Sequence, residues 1–247
     1  MAVRRDSFSF DGLRVPVEIH GDGDPVIFVP GLGVHPRYYG EGLTRLGRHF
    51  TVFVPDLSFR THADLPARVD RYRELLEALA TRYAPSAFRA GHSYGGFLAL
   101  LGSAPAIALS PLIPLNVGWT SKVGRAVRLQ LREYFGLEGR RGAGWAWNIL
   151  RDYLRTALRS PASLFPTVSE TLHGIAHTFR PTAPRAHIVL AEYDRLYLPA
   201  EYERYLERSK RPAVVVRHVP RGHGWPVTHP ELLETEVLEA IAATRAA

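Results

Sequence analysis

The chain has 247 residues, 46% of them hydrophobic and 22% charged, which suits one large soluble domain with a sizeable core. It contains no cysteine, which excludes disulfides and thiolate metal sites. The formal net charge of +7 is carried almost entirely by arginine, since Lys122 and Lys210 are the only lysines. The arginines are scattered rather than interleaved with aromatics along a groove, so the pattern implies a solvated basic surface and argues against nucleic-acid binding. The segment Met1–Asp6 lacks the apolar run of a secretory leader. With the missing cysteines, this sets the expectation of a cytoplasmic protein.

Residues 7–20 alternate, with Phe8 and Phe10 before Asp11-Gly12 and Val15, Val17 and Ile19 after it. That pattern predicts an antiparallel hairpin at a sheet edge. Val26–Val29 is a continuous apolar run, expected of a strand buried on both faces, and it ends in Pro30-Gly31-Leu32-Gly33. A helix is expected over 36–48 with Tyr39, Leu43 and Leu46 inward. Thr51–Val54 is a second buried strand. Pro66 suits the first position of a helix whose inner face is Val69, Tyr72, Leu76, Leu79 and Tyr83.

The next stretch is the centre of the chain. Ala87–Ala90 is strand-like, Phe97–Leu101 is helix-like, and Gly91-His92-Ser93-Tyr94-Gly95-Gly96 lies between them. This is G-x-S-x-G at a strand-to-helix turn. Small residues on both sides of the serine permit the close approach of strand and helix. Ala106–Leu109 is a further strand. No residue from Phe97 to Trp119 is charged, a length that could span a bilayer, but Gly102, Pro105, Pro111 and Pro114 break any single helix. A buried helix, strand and loop are expected there, and no membrane span.

From Leu115 to about Arg180 the rhythm becomes purely helical. Three faces can be read: Val123, Val127, Leu131 and Tyr134; then Trp147, Leu150, Leu154 and Leu158; then Leu164, Val168, Leu172, Ile175 and Phe179. Strand and helix then alternate again, with strands at His187–Leu190 and from Ala213, and helices over Pro199–Arg208 and from Pro230. The expected organisation is an α/β core at 1–114 and 181–247 with a helical insertion at 115–180.

Alternating strands and helices imply a mostly parallel sheet, and sites on such sheets gather at the carboxyl ends of the strands. Four groups fall just past four strand ends: the Gly31–Gly33 loop, Ser93, Asp194 and His223. A serine hydroxyl needs a nearby base, the base needs an orienting carboxylate, and a developing oxyanion needs fixed donors. Glu192 and Asp56 are alternative carboxylates. His173 and His177 are spaced i, i+4, but no acidic third ligand lies near them, so neither a metal nor any other cofactor is expected.

Over nearly its whole length the sequence resembles the α/β-hydrolase family, whose chain order is that of Ser93, Asp194 and His223. The resemblance implies that Ser93 is the nucleophile, His223 the proton carrier and Asp194 its orienting partner. It implies an oxyanion hole made by the backbone N–H groups of Leu32 and Tyr94, and a substrate-selecting cap at 115–180. Candidate pocket residues are Trp225, His35, Trp147 and His177. Two departures stand out. Pro30-Gly31 replaces a frequent His-Gly, and the loop after Asp56 lacks the usual glycines. A serine nucleophile sets the chain apart from the carboxylate-using dehalogenase and epoxide-hydrolase branches. The implied activity is hydrolysis of a carboxylic ester or related acyl compound, a small and partly apolar molecule. Cleavage of a C–C, amide or thioester bond by the same residues, or non-catalytic ligand binding, are the alternatives.

Overall fold

Asp11 and Gly12 both have positive φ, 49° and 79°, the backbone that a tight two-residue hairpin turn requires. They join β1 (Arg4–Phe10) to β2 (Leu13–His20), paired antiparallel at one edge of the sheet. The computed structural model describes residues 3–58, 69–112, 139–159, 182–194, 199–209 and 214–246. Six further strands follow: β3 (Asp24–Val29), β4 (Phe50–Pro55), β5 (Phe88–His92), β6 (Ala106–Leu109), β7 (Ala186–Ala191) and β8 (Val214–Val219). Among the described residues they form one eight-stranded sheet in the order β1-β2-β4-β3-β5-β6-β7-β8, parallel from β4 to β8. The order reverses at β3, which lies between β4 and β5, so the loops after β3 and β5 diverge at a crevice.

Successive strand residues face opposite sides. Ile27, Val29, Phe53, Ala106 and Ala108 pack with α2 (Val69–Tyr83) and α3 (Tyr94–Leu100). Val26, Phe28, Val52, Val54, Ile107 and Leu109 pack on the other side with α1 (Gly40–Leu46) and the last helix. The buried runs at Val26–Val29 and Ala106–Leu109 are thus strands covered on both faces. The helix expected over 36–48 is two elements, a 3₁₀ turn at Pro36–Tyr39 and then α1, which Gly47 ends; Tyr39, Leu43 and Leu46 are buried as expected. The uncharged stretch from Phe97 divides between α3 and β6, and no described helix is long and apolar enough to cross a membrane.

Four more helices complete the described chain: α4 (Gly139–Arg159), α5 (Pro199–Ser209), the short α6 (Trp225–Thr228) and α7 (Pro230–Ala246). Of the helical insertion expected at 115–180, only α4 lies within the described residues; the other two helical faces, with His173 and His177, lie outside them. The face of α4 read as apolar points outward, with Trp147 62% and Leu158 85% exposed. The side packed on the protein carries Trp145 and Ile149, together with Asp152, Tyr153 and Thr156.

Strand β5 is anchored by an ion pair. The buried guanidinium of Arg89 on β5 makes two 2.6 Å bonds to the carboxylate of Glu77 on α2, which also accepts from the Ser103 N–H and hydroxyl. The Arg89 hydrogen bonds, helped by those of Ser103 and opposed by partial burial, lower the Glu77 carboxyl from 4.5 to about 2. A depressed carboxylate stabilises the fold above its unfolded value, and that contribution is lost as pH falls through the folded value. Glu77→Gln strands a buried cation and is expected to cost about 3 kcal/mol at pH 7 in urea unfolding, the low end for such pairs because Glu77 is 39% exposed. The deficit should shrink as the pH is lowered from 4.5 to 2.

Candidate active site

Ser93 follows β5 directly, in a backbone conformation rare for a side-chain-bearing residue, φ 55° and ψ −118°. Such a conformation costs about 1–3 kcal/mol and persists only where the surroundings enforce it. Here the enforcement is steric and hydrogen-bonded. A Cβ on Gly95 would lie 2.0 Å from the Val29 carbonyl oxygen, and one on Gly91 would lie 2.4 Å from the Gly95 backbone. Only glycines let α3 come this close to β3 and β5. The Ser93 N–H donates to the Leu109 carbonyl at 2.9 Å, and the Ser93 carbonyl accepts from Phe97 and Leu112.

The other two expected residues converge on the serine. His223, in the loop after β8, places Nε2 3.0 Å from Ser93 Oγ and Nδ1 2.7 Å from Asp194 Oδ2. Asp194 and His223 are both buried. The carboxylate can only accept, so Nδ1 carries the proton, and the bare Nε2 faces the serine hydroxyl. The rival carboxylates sit elsewhere: Glu192 is exposed, and Asp56 is bonded to the Ser58 N–H and hydroxyl and lies 3.4 Å from His35.

The loop after β3 lies against Ser93. A Cβ on Gly31 would stand 3.6 Å from the Ser93 Cβ. Three hydrogen bonds shape this loop. The Val34 N–H donates to the Gly31 carbonyl at 3.0 Å, closing a turn in which Gly33 has φ 65°. That bond holds the Gly31–Leu32 peptide, whose N–H is the expected donor. The Gly31 N–H donates to Tyr39 Oη at 3.0 Å, and the Tyr153 hydroxyl of α4 donates to the Leu32 carbonyl at 2.5 Å. Asp152 reinforces the same seam, accepting from Arg37 and Tyr38 at 2.7 Å each. Tyr94, the second expected donor, is the residue after Ser93 and opens α3.

The candidate pocket residues fare differently. Trp225 is wholly buried and donates from Nε1 to Ser110 Oγ at 3.1 Å, close to the His223 loop. Trp147 points to solvent, because the polar partners of Asp152 and Tyr153 draw the opposite face of α4 inward. His35 caps the 3₁₀ turn, its Nδ1 accepting from the Arg37 N–H at 3.1 Å while Nε2 faces Asp56. His177 lies outside the described residues. Apolar periodicity placed Tyr39 inward but gave no sign of its hydroxyl's partners, nor of the polar contacts by which His92, Asp152 and Tyr153 join distant parts of the chain. Among the described residues no cluster of three or more metal-binding side chains occurs.

A hydroxyl, an imidazole and a carboxylate thus stand in hydrogen-bonded series at the carboxyl ends of a mostly parallel sheet. The sequence profile of the alpha/beta hydrolase family matches residues 26–236, so the chain belongs to that family. A protein of Mycobacterium phage D29, provisionally named a non-heme haloperoxidase, is 38% identical over 91 residues, 35% of this chain and 33% of that one. The match thus spans about a third of that curated relative.

Solved structures similar in fold include a deformylase, a serine hydrolase and an esterase. The N-formylmaleamic acid deformylase from Pseudomonas putida S16 is 20% identical over 95% of this chain and 100% of that one, with a TM-score of 0.67. A serine hydrolase involved in carbazole degradation is 16% identical over 98% and 100%, with a TM-score of 0.71. A thermophilic esterase from Thermogutta terrifontis is 17% identical over 97% and 98%, with a TM-score of 0.64. At these identities the likeness establishes the fold.

Proposed function

We propose that the protein is a serine hydrolase that cleaves a carboxylic ester or a related acyl compound through an acyl-enzyme on Ser93. The observation that carries this reading is the unbroken series Ser93 Oγ, His223 Nε2, His223 Nδ1 and Asp194 Oδ2, with contacts of 3.0 and 2.7 Å. Ser93 Oγ attacks the acyl carbon as His223 Nε2 takes its proton. The carbonyl oxygen gains the negative charge and is met by the N–H groups of Leu32 and Tyr94. Collapse expels the alcohol, which leaves with the proton from His223. Water, deprotonated by the same nitrogen, then attacks the ester of Ser93 and releases the acid. One ester and one water give one acid and one alcohol, with no external cofactor needed for this cycle. The esterase, deformylase and serine hydrolase among the structural relatives support an acyl-type substrate.

The test is a substrate panel of short p-nitrophenyl esters, acyl thioesters and ring-fission diketones, together with a fluorophosphonate probe. Ester turnover and labelling of Ser93 are expected. Turnover confined to thioesters or diketones would move the bond but keep the residues. Folded protein that neither reacts with the probe nor turns over any substrate would leave a binding protein.

The contact between α4 and the oxyanion loop makes a finer prediction. Tyr153→Phe removes the donor to the Leu32 carbonyl without changing ring volume. Loss of a whole oxyanion donor costs about 100–1000-fold, and loosening one should cost about 10-fold in kcat. KM for p-nitrophenyl butyrate should move far less. An unchanged kcat would show that α4 does not set the loop.

A further inference from the structure

His92, the residue before the nucleophile, takes no part in the proton transfers proposed above, yet it is buried and fully hydrogen-bonded. Its Nε2 lies 2.9 Å from the His223 carbonyl oxygen, and its Nδ1 lies 2.7 Å from Tyr39 Oη. Tyr39 Oη in turn accepts from the Gly31 N–H at 3.0 Å. The directions of these bonds follow from the ends. A carbonyl can only accept, so His92 Nε2 carries a proton. A neutral imidazole then has a bare Nδ1, which accepts the single Tyr39 hydroxyl proton, while a lone pair on Oη receives the Gly31 N–H. Burial, and then the nearby His223, hold the His92 pKa well below its usual value, and burial raises that of the Tyr39 phenol. Both groups therefore stay neutral, and each proton in the series has one place.

The series joins two loops that approach Ser93 from different strands. One end is the N–H of Gly31, immediately before the proposed oxyanion donor Leu32. The other is the backbone of His223 itself. The rings of His92 and His223 also lie side by side, with centroids 5.1 Å apart. When His223 takes the serine proton and becomes cationic, a second cation at His92 would oppose it. A fixed neutral tautomer at residue 92 avoids this.

We infer that Tyr39 and His92 are positioning residues, a buried link that holds the oxyanion loop and the catalytic histidine loop in register on either side of Ser93. The inference rests on the serine-hydrolase reading and adds to it two residues that never touch substrate.

Amide geometry supplies the test. Glutamine carries an acceptor oxygen and a donor nitrogen on one carbon, as Nδ1 and Nε2 flank Cε1, but closer to Cβ, so His92→Gln can restore part of the link to Tyr39 and the His223 carbonyl without a titratable ring. His92→Leu keeps apolar volume and loses both bonds, and Tyr39→Phe loses the shared hydroxyl. Each folded variant would be assayed with p-nitrophenyl butyrate and for its rate of fluorophosphonate labelling at Ser93. Tyr39→Phe and His92→Leu are expected to lower kcat and the labelling rate by about 30-fold or more, with KM within about twofold. His92→Gln should be at least about threefold faster than His92→Leu. If His92→Leu does not fold, Tyr39→Phe decides the matter. Wild-type labelling with an equally fast Tyr39→Phe variant would overturn the link alone. A His92→Gln variant no faster than His92→Leu would overturn it too. Wild-type protein that is not labelled would overturn the hydrolase reading and the link with it.

Discussion

Ser93→Ala is expected to lower kcat/KM for p-nitrophenyl butyrate by at least about 10⁴-fold, because the proposed acyl-enzyme forms on the hydroxyl it removes. The residual rate would come from the oxyanion donors and His223 acting on bound water. The loss should be chemical and not structural. The Ser93 hydroxyl contributes one hydrogen bond, to His223 Nε2 at 3.0 Å, so removing it should change stability by about 1 kcal/mol or less. Alanine inherits the strained φ of 55°. Ser93→Gly relieves that strain and should unfold at no lower urea concentration than Ser93→Ala, with no activity regained. Circular dichroism, urea midpoints and turnover on the three proteins separate the two effects. Ester turnover by Ser93→Ala within tenfold of wild type would remove the serine from the reaction.

The strain at this one residue shows what the sequence could and could not disclose. The glycines around Ser93 were readable because their function is steric and local: Gly91 and Gly95 sit beside the serine and leave room for backbone that any Cβ would strike. The hairpin was readable for the same reason, since Asp11-Gly12 supplies the positive φ its turn requires. The residues at the strand ends were placed by topology: once the sheet is parallel, Ser93, Asp194 and His223 share an edge without any knowledge of their contacts. The polar seams were not readable. Tyr39 Oη and His92 Nδ1 are 53 residues apart in the chain, and Tyr153 and Leu32 are 121 apart. A tyrosine at helical spacing looks like core until its hydroxyl has a partner.

Aromatic identity also says little about direction. Trp225 and Trp147 were both expected at a pocket. One is buried under the His223 loop because its indole N–H finds Ser110 there, and the other faces outward because its neighbours Asp152 and Tyr153 have stronger polar claims on the protein surface. The inner face of α4 was decided by hydrogen bonds to Arg37, Tyr38 and Leu32, which apolar periodicity does not register.

Asp194→Asn should be nearly as damaging as Ser93→Ala while leaving the fold in place. The side chain is isosteric, so the buried site keeps its volume. What changes is the proton pattern. The carboxylate accepts from His223 Nδ1 at 2.7 Å and thereby leaves Nε2 bare toward Ser93. An asparagine that turns its amide nitrogen to His223 donates instead, and the stable tautomer then carries its proton on Nε2, where a base is required. The charge that would stabilise the imidazolium is also lost. A drop of about 10⁴-fold in kcat is expected, the size associated with an inverted tautomer in such a series. Fluorophosphonate labelling should slow in parallel, since it needs the same deprotonation. Glu192→Gln is the matched control: Glu192 is two residues away and exposed, and its variant should stay within about twofold of wild type. An Asp194→Asn protein that keeps kcat within tenfold, or a Glu192→Gln protein that loses it, would mean that the carboxylate seen against His223 is not the one that orients it during turnover.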